Sequence, residues 1–260
     1  MRILSIDSSL GTQLAVVDTA EAVDAADTDS ATGRRALQVL SQAELADTRR
    51  HAESLGQMLS AALSVPDVAD HQLDAVVAAT GPAPFTGLRA GLVTAEVVGR
   101  TRGIPVHGVS SLDAVARRAL DELGAHGVER APVVLVATDA RRREVYGALF
   151  RANGPDDVTR LTEVSVCPPA QVAERVAEQA PGQVGADGNV DVVAGSGVAL
   201  YPELAELASC HEVLAPVSGD ALTQVRIALA RLDRGEELGT KPLYLRHADV
   251  QVPAARKRVR

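Results

Sequence analysis

The chain has 260 residues and a hydrophobic content of 46%, enough for one large domain or two small ones around a substantial core, and too apolar in its periodic blocks for a disordered acidic chain. A formal net charge of −8 gives the surface as a whole no attraction for nucleic acid or anionic lipid, and an aromatic content of 2% leaves few rings on which a single-strand binder could stack bases. Two cysteines, Cys167 and Cys210, have no CxxC spacing, and no apolar run approaches the roughly 18 residues of a membrane span, so a reduced, cytoplasmic protein without export signal or membrane contact is expected.

The N-terminal block "MRILSIDSSLGTQLAVVD" carries two short apolar runs around a Ser- and Gly-containing turn and predicts a β-hairpin. Residues 19–33, rich in Ala, Asp and Thr without an apolar period, predict a loop or a lengthened hairpin tip. "RALQVLSQAEL" predicts a third strand, and in "RRHAESLGQMLSAAL" the residues Ala52, Leu55, Met58, Leu59 and Ala62 fall at helical spacing. "LDAVVAAT" reads as a buried strand, "GPAPFTGLRAGLVTAEVVGR" as a loop entering a helix, and "GIPVHGVSSLDAVARRALDEL" as a short strand followed by another helix.

The order then starts again. "PVVLVATDA" and "EVYGALF" predict two strands around Asp139, "VTRLTEVSVC" a third, "PPAQVAERVAEQ" a helix opened by prolines, and "VDVVAGSG" a further strand. Asp7 and Asp139 stand at matching turns, so duplicated lobes of the pattern βββαβα are expected: a first lobe over 1–109 and a second over 110–260. A late helix near 218–234, with Ser218 or Asp220 at its cap, is expected to pack back on the first lobe; "KPLYLR" reads as a last extended piece and 254–260 as a basic tail.

No two of His51, His71, His107, His126, His211 and His247 have the i, i+4 spacing that sets two imidazoles on one helical face, so no metal site is expected. No G-x-S-x-G elbow occurs, and Cys167 before Pro168 reads as a small buried thiol, so no catalytic nucleophile is assigned. Phosphate binding is the more serious candidate. "DSSLGTQ" could surround phosphates with amides and hydroxyls from Asp7, Ser8 and Ser9, and "GPAPFTG" could present helix N-terminal N–H groups with Thr86 as cap; the alternative is a pair of ordinary structural turns. Arg256, Lys257, Arg258 and Arg260 could contact RNA phosphates or form a solvated end.

Within the helix after "GPAPFTG", Gly87, Gly91, Ala95 and Gly99 recur every four residues and form one bare strip, although each interior glycine costs a helix about 1 kcal/mol relative to alanine. Such a strip admits a closely approaching neighbour.

The segments "IDSSLGTQLAVVD", "RRHAESL", "GPAPFTGLRAGL", "GVSSLDAVA", "DARRREVYGALF", "AGSGVALYPEL" and "PLYLRHADVQVP" together resemble the TsaB (YeaZ) family, in the expected order over nearly the whole chain. The resemblance implies an α/β fold of the actin-like, sugar-kinase-like superfamily, with two duplicated lobes and mixed sheets. It implies a non-catalytic subunit in the synthesis of threonylcarbamoyladenosine at position 37 of tRNA, dimerising with a TsaD-like catalytic subunit, working alongside a TsaE-like ATPase and meeting tRNA only through the complex. A homodimer is the possible form when alone. No cofactor is required, with ATP or ADP at the partner junction as the possible exception.

In the catalytic relative the segment after the glycine-striped helix carries two metal-binding histidines four apart; Ser111 and Val115 stand at those places here, and neither can replace an imidazole. The resemblance implies that the helices near 50–63 and 87–102 pack on the partner subunit, which the strip of Gly87, Gly91, Ala95 and Gly99 would admit and to which Leu55, Met58, Leu59, Leu92 and Val93 would supply apolar contact; the alternative is that the strip packs on the chain's own sheet. Where the family loop reads GPGSFTGLR, this chain has Ala83 and Pro84, which restricts the backbone and removes an N–H from any anion site.

Overall fold

The computed structural model describes residues 1–19, 28–29, 33–46, 51–124, 132–183, 189–208 and 220–245. Most of the 19–33 loop, Cys210, His126, His211, His247, Ser218 and the basic tail lie outside the described residues.

The first sheet begins with β1 (Arg2–Asp7) and β2 (Thr12–Asp18), an antiparallel hairpin in which Ile3 faces Val17. Two short strands, β3 (Thr28–Asp29) and β4 (Arg34–Arg35), pair with each other, and β5 (Gln38–Leu45) lies antiparallel on β2 with a register shift between Val16 and Val17. After α1 (His51–Leu63) and the single turn α2 (Pro66–Ala69), β6 (Ala75–Ala79) runs parallel to β1. Then α3 (Phe85–Arg102) leads to β7 (Val106–Val109), parallel to β6, giving the order β5-β2-β1-β6-β7. Every residue of β6 is buried, as an unbroken Ala/Val strand covered on both faces must be.

The helix α4 (Ser111–Gly124) precedes a second sheet. There β8 (Val134–Asp139) and β9 (Val145–Asn153) form the hairpin, with Asp139 opposite Val145. The stretch expected as one third strand is two: β10 (Asp157–Arg160) and β11 (Ser165–Cys167) both pair with β9. The break falls where the Thr162 side chain, instead of a backbone carbonyl, accepts the Leu149 N–H at 3.0 Å, which interrupts the ladder. After α5 (Val172–Gln179), β12 (Val192–Ala194) lies parallel to β8, followed by the single turn α6 (Gly197–Leu200) and the long α7 (Ala221–Asp233).

The repeat extends to local chemistry. Asp7 Oδ1 accepts the N–H of Ser9 at 2.7 Å, and Asp139 Oδ1 accepts that of Arg141 at 2.8 Å, so each hairpin opens with a carboxylate that closes the same turn. Residues 241–245, expected to be extended, form no strand; they lie as an irregular strap tied by the Leu243 N–H to the carbonyl of Thr80 at 2.9 Å.

Among the described residues four apolar cores fill the faces. Leu55, Ala62, Leu88, Leu92 and Ala95 of α1 and α3 pack on one face of the first sheet, while Val225, Ala228 and Leu229 of α7 cover Ile3, Ala15 and Val77 on the other. Helix α4 places Leu112, Val115 and Ala119 on the second sheet, and α5 packs Val172 and Val176 on its far face.

The polar side of α7 is fastened to the second sheet. Arg226 donates to Asp121 of α4 at 2.6 Å and to Asp156 at 2.8 Å, and Arg231 donates to Asp113 at 2.8 Å and Asp157 at 3.0 Å. Burial works against the charge of both guanidiniums, but their carboxylate partners outweigh it and hold both pKa values above the ordinary arginine value. Asp220 caps α7, accepting the N–H of Leu222 at 2.9 Å.

Candidate partner interface

Two stripes of period four run along α3. Gly87, Gly91, Ala95 and Gly99 are all buried, and Phe85, Arg89, Val93 and Val97 lie two residues out of phase, about 200° round the helix. The glycine stripe faces the chain's own strands. A Cβ on Gly91 would stand 2.3 Å from Ser8 Oγ, and one on Gly99 2.3 Å from a methyl of Val106, distances no side-chain carbon tolerates. The expectation that these residues meet a partner is therefore corrected: the close approach they allow is that of β1 and β7. Leu55 and Leu92, 2% and 7% exposed, belong to the same internal core, while Met58 and Leu59 are half-buried.

The opposite stripe is open. Phe85, Val93 and Val97 are 54%, 52% and 54% exposed, an unusual density of apolar side chains on one solvent face. Beside them a groove of about 570 Å³ runs between α3 and the strap, lined by Phe85, Leu92, Val93, Val97, Pro242 and Tyr244. The rings of Phe85 and Tyr244 meet with centroids 5.0 Å apart and planes inclined at 36°, and the Arg89 guanidinium lies 5.6 Å from the Phe85 centroid. Thr240 donates its hydroxyl to Glu96 at 2.6 Å, pinning the strap to the helix.

The residues proposed for phosphate have other tasks. Asp7, Ser8 and Ser9 are 3%, 2% and 4% exposed. Ser8 Oγ donates to the Gly87 carbonyl at 2.7 Å and accepts the Gly91 N–H at 3.0 Å, inserting itself into the hydrogen-bond ladder of α3. The second oxygen of Asp7 accepts from Gln224 of α7 at 2.7 Å. Burial pushes the Asp7 carboxyl above its ordinary value, the bonds from Ser9 and Gln224 lower it in part, and Asp220 adds a smaller upward push. Thr86 is not the cap expected: Pro84 occupies the N-cap position without a side-chain bond, and Thr86 is exposed in the first turn.

Ser111 and Val115 are 1% and 0% exposed in α4, packed in the interior. Among the described residues no three His, Cys, Asp or Glu side chains gather within reach of one metal ion. Cys167 is a free, buried thiol whose pKa burial raises, and no described helix is long and apolar enough to cross a membrane. Sequence reasoning missed Phe85, Val97 and Tyr244; Phe85, Val93 and Val97 at four-residue multiples were the available signal, masked by the glycine stripe of the same period.

The two five-stranded sheets, each a three-strand antiparallel set extended by parallel strands, two in the first and one in the second, define an actin-like α/β protein of duplicated lobes. A family model described as TsaD, tRNA N6-adenosine threonylcarbamoyltransferase, matches residues 38–233, and the chain belongs to that family, where its likeness is to the TsaB (YeaZ) proteins. TsaB of Escherichia coli, a tRNA threonylcarbamoyladenosine biosynthesis protein, is 28% identical over 206 residues, covering 76% of this chain and 82% of that protein. A crystal structure from Pseudomonas aeruginosa, described as an uncharacterized protein with similarity to peptidase YeaZ, superposes with a TM-score of 0.68 at 25% identity, covering 94% of this chain and 99% of that one. An uncharacterized protein of Mycobacterium tuberculosis is 44% identical over 117 residues, 45% of this chain; the chain spans about half the length of that relative, 50%.

Proposed function

We propose that this chain is a non-catalytic dimerisation subunit for threonylcarbamoyladenosine synthesis at position 37 of tRNA. Its first lobe, residues 1–109, binds a TsaD-like catalytic subunit through the exposed side of α3 and the neighbouring half-buried Met58 and Leu59 of α1. The second lobe, 110–260, is held to the first through α7. A TsaE-like ATPase acts in the same cytoplasmic complex, and tRNA is engaged through the assembly.

The observation that carries this reading is the exposed row of Phe85, Val93 and Val97 on a helix whose other side is sealed. An apolar row of this kind is the core of a protein interface awaiting its partner. The interior packing of Ser111 and Val115, where the catalytic relative has histidines, supports an accessory role.

The test is co-purification with the TsaD-like subunit, followed by a measurement of modified adenosine in tRNA with and without this chain. Wild-type chain is expected to be required for the modification, and Val93→Glu with Val97→Glu to abolish co-purification while melting like wild type. Retained tight binding by the double variant would refute the interface. ATP turnover by the chain alone, lost in Asp7→Ala, would instead make it an enzyme in its own right.

A further inference from the structure

The groove beside α3 also carries a sign. Although the whole chain has a net charge of −8, the cations at this groove outnumber its acids. Arg89 and Arg100 line it, both exposed, and Lys241 stands exposed between the lining residues Thr240 and Pro242. Among the described residues none of the three forms an ion pair, and the one aromatic contact they make there is that of Arg89 with Phe85. By contrast Arg117, Arg226 and Arg231 are each bound to one or more aspartates. The one acid lining the groove among the described residues, Glu96, is engaged by Thr240.

Arg89 and Arg100 are eleven positions apart, which sets their backbones about 16 Å apart along the helix axis. Between them lies the apolar floor of Leu92, Val93 and Val97, with the Phe85–Tyr244 pair at one end. The strap is a built wall, held at Thr80 by the Leu243 N–H and at Glu96 by Thr240.

We propose that the occupant of this groove is an apolar segment of the partner subunit flanked by carboxylates, which pair with Arg89, Arg100 and Lys241 while its apolar side chains fill the space against Tyr244 and Val97. This rests on the partner-binding reading above and adds the partner's chemistry and a role for the strap. Exposed cations at the rim act chiefly on encounter, by steering an oppositely charged surface before the apolar contact closes. The carboxylate that lands on Arg89 also meets a guanidinium already positioned over a ring, so less freedom is lost on pairing.

The experiment is a binding titration of full-length chain with the purified TsaD-like subunit at low and at high salt, resolved into association and dissociation rates. Reversing the rim with Arg89→Glu, Arg100→Glu and Lys241→Glu is expected to slow association at least tenfold at low salt and to remove its salt dependence. The lysine variant Arg89→Lys with Arg100→Lys is expected to keep most of the rate. Tyr244→Ala, which leaves both anchors of the strap in place, is expected to raise the dissociation rate at least tenfold. If Val93→Glu with Val97→Glu abolishes binding but rim reversal leaves the rates and their salt dependence unchanged, the acidic-partner inference is overturned and the interface stands. If neither set changes binding, both fall.

Discussion

Substituting alanine for Gly91 tests how the first lobe is packed, because the same change at Gly56 should act in the opposite direction. A Cβ at position 91 would lie 2.3 Å from Ser8 Oγ, 3.1 Å from Ser8 Cβ and 3.5 Å from a methyl of Ile6. Ser8 cannot simply rotate away, since its hydroxyl holds both the Gly87 carbonyl and the Gly91 N–H. Overpacking costs about 1–3 kcal/mol. Losing the two buried bonds costs about 0.5–1.5 kcal/mol each, and alanine's better helix propensity returns about 1 kcal/mol. The net expectation is a destabilisation of about 1–5 kcal/mol, centred near 3, which at its centre lowers Tm by roughly 6–12 °C for a chain of this size. Gly56 is exposed on α1, and beyond its own helix backbone no atom of the described residues comes within 4 Å of its Cβ position, so Gly56→Ala gains only the propensity term and should stabilise by about 0.5–1 kcal/mol. Parallel urea and thermal unfolding of the two variants decides the matter. A Gly91→Ala protein as stable as wild type, or shifts of the same sign at both sites, would show that the glycine stripe does not face β1. Removing the hydroxyl as well, in Ser8→Ala with Gly91→Ala, should cost less than the sum of the two single changes, because it removes the atom in closest conflict.

The Asp7 carboxyl provides a pH test. Its folded pKa lies above the ordinary carboxyl value of 3.8 because burial disfavours the charge, so as pH rises from below 3.8 the unfolded chain releases its proton first, and the stability contributed by the protonated form is lost as pH passes the folded value. Asp7→Asn, with the Gln224 amide turned to present its unpartnered oxygen, should therefore be more stable than wild type at pH 7 and lose that advantage below pH 4 in denaturant titrations; a less stable variant at pH 7 would contradict it. Arg231→Met leaves the buried Asp113 without its cation, while Asp157 keeps Arg234, and should destabilise by about 3–5 kcal/mol in urea unfolding, against under 1 kcal/mol for Arg118→Met, whose partner Glu122 is exposed. Equal effects of these two arginine changes would remove the case for a buried fastening of α7.

Local periodicity determined most of the elements. Alternating and continuous apolar runs placed the hairpins, β6 and the helices, and the recurrence of their order gave the duplicated lobes, while the actin-like fold came from the family resemblance. The four-residue glycine period correctly marked a place of close approach. Periodicity on one helix cannot say what approaches, however. Residues 87, 91, 95 and 99 and residues 85, 89, 93 and 97 have the same spacing on opposite sides of α3, and only the position of β1, β6 and β7 decides which side is sealed. The same limit explains the phosphate reading. "DSSLGTQ" has the composition of an anion loop, but its serine is used in the ladder of a helix 79 positions away and its aspartate is engaged by Gln224, 217 positions away. Hydrogen-bond donors are named by sequence, whereas the groups that consume them arrive from distant segments when the chain closes.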